Sequence, residues 1–101
     1  MSLTIGKNVA GTAVTLTLHG RLDTATAPEL EASLNELLPA ADTLTFDLAA
    51  LEYISSAGLR VVLKAQKTMS QKGGMKLVHV PETVMEVFEI TGFSDFLTIE
   101  N

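Results

Sequence analysis

Residues 12–19 alternate without a break: Val14, Leu16 and Leu18 fall on one side, Thr15, Thr17 and His19 on the other. A period of two belongs to a strand with one buried face, so a sheet begins early in the chain. Just downstream the period changes. Ala27, Leu30, Leu34, Leu37 and Leu38 recur every three or four positions, the stripe of a helix packed on one side. A chain that keeps switching between these periods is confined to alternating strands and helices, hence to crossovers between parallel neighbours.

The punctuation sets the boundaries. Gly20 closes the strand at 12–19, and a run around Leu3–Lys7 is placed to pair with it as a hairpin through the turn Asn8–Gly11. Thr26, with Glu29 three residues on, reads as a capping box, with Pro28 in the first turn and Pro39 at the helix end. Leu44, Phe46 and Leu48 give a strand over about 43–48. A second helix then has Leu59, Val62, Leu63, Gln66 and Met69 as its inner stripe, with Gly73-Gly74 as a left-handed terminator. Met75, Leu77 and Val78 to Val80 form another strand, and Pro81 opens a third helix facing inward with Val84, Val87, Phe88 and Thr91. Gly92 ends that helix, and Leu97–Ile99 is the last strand. The order β-β-α-β-α-β-α-β describes an α/β domain: a small open mixed sheet of four or five strands, with three or more helices mainly on one face.

At 101 residues the chain is read as one domain, 1–101. A net charge of −5 with only seven basic residues argues against nucleic acid and suits basic partner surfaces. Lys64, Lys67, Lys72 and Lys76 are the nearest thing to a patch and read as a solvated helix face running into a strand. No apolar run approaches the roughly 20 residues that span a bilayer, and the first residues carry no secretory pattern. Without cysteine there is no disulfide or thiolate chemistry, which fits a reducing cytoplasm. No dimer seam stands out, so the free protein is expected to be a monomer.

The chemistry-bearing stretch is Tyr53-Ile54-Ser55-Ser56-Ala57-Gly58-Leu59, where the chain enters the second helix. A serine there is ordinarily an N-cap, contributing about 1 kcal/mol. The same place also suits a phosphate, because a helix N-terminus presents unpaired N–H groups and the positive end of the macrodipole. Ala57 and Gly58 are small, leaving the Ser56 hydroxyl open and letting a partner approach the backbone. A serine hydrolase is not indicated: a nucleophile elbow needs glycine two residues before the serine, and that residue is Ile54. His19 and His79 stand sixty positions apart with no carboxylate pattern beside them, so no metal site is expected. Gly73-Gly74 lacks the Lys-Ser/Thr end of a phosphate loop, and no cofactor is expected.

Tyr53–Leu59, together with Gly20-Arg21-Leu22-Asp23, resembles the STAS domain of bacterial anti-sigma factor antagonists, and the likeness covers nearly the whole chain. The resemblance implies a non-catalytic phosphorylation switch. Ser56 would be the acceptor, with Ser55 second to it. Unmodified protein would bind an anti-sigma factor that is itself a serine kinase and free a sigma factor. The phosphorylated form would let go, and a metal-dependent serine phosphatase would reset it. Asp23, Thr24, Ser55, Ser56, Ala57, Gly58 and Arg60 would form the partner surface, with Met75 as a further contact and Leu59 either a contact or, as its inner-stripe position favours, core. Asp23 can equally be a turn residue bonding the backbone near Thr24 and Thr26. The chain departs from the family pattern at Ser55, where regulated members usually carry Asp, and at Ala57, where they often carry Ser or Thr. The alternative is the same fold used as a protein-interaction or ligand-sensing scaffold without phosphorylation.

Overall fold

Val14, Leu16, Leu18 and Leu22 are buried while Thr17 and His19 are exposed, so the first alternating run forms a one-sided strand as its period requires. The computed structural model describes residues 2–100. In chain order it contains β1 (Leu3–Ala10), β2 (Ala13–Leu22), α1 (Ala27–Leu37), a 3-10 turn (Leu38–Ala40) and β3 (Thr43–Ile54). There follow α2 (Ser56–Met69), β4 (Met75–Val78), α3 (Glu82–Thr91), a second 3-10 turn (Phe93–Asp95) and β5 (Ile99–Glu100).

The five strands lie in the order β1-β2-β3-β4-β5. Only the β1–β2 pair is antiparallel; the other pairs are parallel. Because the sheet order follows the chain order, right-handed crossovers carry α1, α2 and α3 over the same face. Phe46, Phe88, Leu18, Leu30 and Met69 are fully buried between that face and the helices. The opposite face shows Thr17, His19 and Lys76 to solvent.

Several boundaries move, each for a physical reason. β2 does not stop at Gly20 but runs through it at φ 110°. A Cβ there would run into the Ser2 carbonyl oxygen, so the strand needs glycine to continue. β3 runs six residues beyond Leu48, to Ile54. Its register with β2 slips between Thr17↔Asp47 and His19↔Ala50, and again between Gly20↔Leu51 and Arg21↔Tyr53, one extra β3 residue each time. These bulges reset the alternation, so Leu48, Leu51 and Ile54 are all buried at a spacing of three. In α2 the buried set is Gly58, Leu59, Val61, Val62, Ala65 and Met69, with Leu63 and Gln66 only half-buried.

Gly73-Gly74 does not cap α2, which ends at Met69. Gly74, at φ 102°, closes the following turn by donating its N–H to the Met69 carbonyl at 3.0 Å. Gly92 does end α3 left-handed, at φ 79°. Thr91 is exposed rather than inward, its hydroxyl donating to the Val87 carbonyl at 2.7 Å. No helix among the described residues is long and apolar enough to cross a membrane.

Gly58 seats α2 on the sheet. A Cβ at this position would meet Leu22 Cγ at 2.7 Å and Ile54 Cγ1 at 3.1 Å, both inside van der Waals contact. We therefore expect Gly58→Ala to lower stability by about 1–3 kcal/mol through overpacking. Urea unfolding checks this, as a lower midpoint at unchanged slope.

Candidate functional site

The end of β2 and the end of β3 deliver two loops to one edge of the sheet, and each loop starts a helix. After β3, Ser55 takes extended dihedrals (φ −95°, ψ 174°) and its Oγ accepts the Gly58 N–H at 3.2 Å. Its own N–H donates to the Leu22 carbonyl at 2.9 Å, tying the entry of α2 to the end of β2. Ser55 is thus the N-cap. The expectation that Ser56 would be the ordinary capping residue is corrected by one position, because bulged β3 delivers Ser55 to the point where extended backbone turns helical.

Ser56 is the first residue of α2 and is exposed. Its hydroxyl makes no hydrogen bond to any described residue, and neither do its backbone N–H and that of Ala57. A free hydroxyl and two unfilled backbone donors share the positive end of a fourteen-residue helix.

After β2, the Asp23 carboxylate organises the other loop. Its Oδ1 accepts the N–H groups of Ala25 and Thr26, both at 3.0 Å. Thr26, buried, donates its hydroxyl to the Arg21 carbonyl at 2.8 Å and accepts the Asp23 N–H at 2.8 Å. The capping box expected from Thr26 and Glu29 does not form: the Thr26 hydroxyl makes no cap bond because the loop has claimed it. The Thr26 N–H holds the Asp23 carboxyl below its ordinary value of 3.8, outweighing partial desolvation that pulls the other way. The Thr26 hydroxyl, the Ala25 N–H and the charge of Arg21 reinforce the lowering.

The remaining expected residues divide. Thr24 and Arg60 are exposed and Ala57 is half-buried, and all three line one groove between α1 and α2. Gly58 is buried against Leu22, so its smallness serves internal packing and not a partner's approach. Leu59, read as contact or core, and Met75, read as a contact, are core residues at 4% and 5% exposure. The lysine patch also breaks up. Lys64 and Lys67 line that groove, Lys72 Nζ donates to the Ala41 carbonyl at 2.9 Å, and Lys76 pairs with Glu100 at 3.5 Å.

No role was expected of Arg21, at this edge, or of His79, whose partner Asp47 lies mid-strand in β3. The Arg21 guanidinium lies 4.2 Å from the centre of the exposed Tyr53 ring, and its Nε is 3.9 Å from Asp23 Oδ2. Carrying the β2 alternation past Gly20 to Leu22 would have placed Arg21 on the outer face. His79, at φ 55°, turns its Nδ1 to Asp47 Oδ1 at 3.2 Å.

The model of the STAS domain family matches residues 4–101. This chain belongs to the STAS domain family. A Bordetella bronchiseptica protein, BtrV, named as an anti-sigma factor antagonist, is 41% identical over 86 residues, covering 83% of this chain and 74% of its own length. An anti-sigma factor antagonist from Mycobacterium paratuberculosis shares the fold at a TM-score of 0.87 and 20% identity, over 96% of this chain and 84% of that one. The Bacillus cell fate determinant SpoIIAA, solved in its phosphorylated form, matches at 0.74 and 20% identity, over 98% and 91%. This STAS chain therefore carries the five-strand mixed sheet and three helices of those proteins.

Two outcomes test the geometry. Ser55→Ala should lower stability by about 1 kcal/mol, the worth of a lost N-cap, measured by urea unfolding. Asp23 has a folded pKa below its unfolded one. Its contribution to stability is complete above the unfolded value of 3.8 and is lost as pH falls through the lower folded value. Asp23→Ala should therefore melt earlier than wild type at neutral pH. Its melting temperature should also fall less steeply with acid below about pH 4.

Proposed function

We propose that this chain is an anti-sigma factor antagonist that switches partners through phosphorylation of Ser56. The unmodified form binds an anti-sigma factor of the serine-kinase type through the α2 entry and the neighbouring Asp23 loop, releasing a sigma factor. Phosphate at Ser56 dissociates the pair, and a metal-dependent serine phosphatase restores the hydroxyl. The chain itself is not an enzyme: it supplies an acceptor and a surface.

The observation that carries this reading is the unpartnered, exposed Ser56 hydroxyl, freed because Ser55 performs the capping. A phosphoryl group there adds about −1.5 to −2 charge and three acceptor oxygens. The open N–H groups of Ser56 and Ala57 receive it without refolding the turn. The family membership supports the same reading, as does the phosphorylated form in which SpoIIAA, a protein of the same fold, has been solved. The departures at Ser55 and Ala57 do not alter the acceptor. Ser55 supplies the helix cap, and Ala57 lies half-buried beside α1.

Mixing the protein with its kinase partner and ATP should add the mass of one phosphate, and Ser56→Ala should abolish the gain. Ser56→Ala should bind the partner constitutively. Ser56→Asp should bind several-hundred-fold more weakly, equivalent to about 3–4 kcal/mol. Tight binding by Ser56→Asp would remove the electrostatic mechanism. Partner binding with no mass gain would make the chain a scaffold without regulated phosphorylation.

A further inference from the structure

The groove between α1 and α2 has a volume of ≈460 Å³ and begins beside the Ser56 turn, at Thr24 and Ala57. Its charged lining is one-sided. Arg60, Lys64 and Lys67 face a single carboxylate, Glu31, which Lys64 engages at 2.9 Å. Arg60 and Lys67 are exposed and make no side-chain hydrogen bond or ion pair with any described residue. A chain of net charge −5 thus gathers three of its seven basic residues around one concave surface. This local reversal runs against the basic partner surface that the net charge alone favours.

We propose that the groove takes an acidic segment of the partner protein that covers Ser56. The inference rests on the switch at Ser56 and deepens it by giving the partner's contact surface a sign. Release through the charge of a phosphate needs a docked surface that is negative or neutral, since a dianion would draw a cationic surface closer. A groove whose charged residues are mainly cations selects a carboxylate-bearing segment, which the phosphate then repels. Arg60 stands one helical turn after Ser56, at the spacing where side chains on a helix meet. The modified serine therefore also competes with the acidic segment for Arg60. Lys67 lies eleven residues on, about 16 Å along the helix axis. Its charge acts on the partner without touching the phosphate.

The probe is hexaglutamate, added at low salt to the whole ¹⁵N-labelled chain. Chemical shifts should move at amides around Thr24–Glu31 and Ala57–Lys67. Lys67→Glu and Arg60→Glu should each weaken binding about three- to tenfold, and phosphoserine incorporated genetically at position 56 should weaken it comparably. Shifts centred on Lys7 or Lys76, hexalysine binding the groove equally well, or unchanged affinity in Lys67→Glu would overturn the assignment. A kinase partner that binds wild type and Lys67→Glu alike would remove the groove while leaving the Ser56 reading intact. Hexaglutamate filling the groove of a chain that accepts no phosphate would do the reverse.

Discussion

Gly58 lies so close to Leu22 and Ile54 that a single added carbon would collide with both. That contact lets the first turn of α2 rest directly on the ends of β2 and β3, and the bond from the Ser55 N–H to the Leu22 carbonyl locks the two strands' exits together. The Asp23–Thr26 network then fixes the entry of α1 beside it. Two helix starts are held at the carboxyl edge of the sheet's parallel strands, the edge at which open α/β sheets commonly place their ligands. The freedom of the Ser56 hydroxyl depends on this seating, because a loosely held turn would let it fall back into capping.

The two serines divide the work. Ser55 gives its oxygen to the backbone, and Ser56 keeps its own in solvent. The neighbouring charges are arranged just as unevenly. Asp23 is consumed by its loop, Arg21 stacks over Tyr53, and the cations of α2 line the adjoining groove. A net-acidic protein therefore presents a concavity whose charged lining is mainly basic, beside the residue proposed to gain negative charge.

Much of this architecture was legible because local pattern and tertiary packing agree. The alternation in β2, the leucine stripe of α1 and the glycine after α3 all read directly. The resemblance carried by Tyr53–Leu59 and Gly20–Asp23 located the candidate serine. What could not be read was set by contacts across the sheet. The end of β3 hid because two bulges turn a period of two into a spacing of three, which resembles a loop. The capping assignments at Thr26 and Ser56 failed because a hydroxyl's partner depends on which loop reaches it first. Met75 was offered as a contact although its burial follows from a strand face that sequence spacing locates only roughly, whereas the inner-stripe position of Leu59 already pointed to the core. The groove escaped notice because its cations were counted along the chain, where they run on into Lys72 and Lys76, which the fold sends elsewhere.

The paired bulges in β3 also act as a ruler. Between the last regular rung at Asp47 and the cap at Ser55, the strand carries two residues more than β2 matches. Removing one would slide everything downstream back by a step: Ser55 would be offered to the pocket now filled by Ile54, and Ser56 would arrive where the backbone demands a cap. The acceptor hydroxyl would be spent on holding the helix. Length in this segment is therefore under tighter constraint than composition, and evolutionary tinkering here should proceed by replacement and not by insertion or loss.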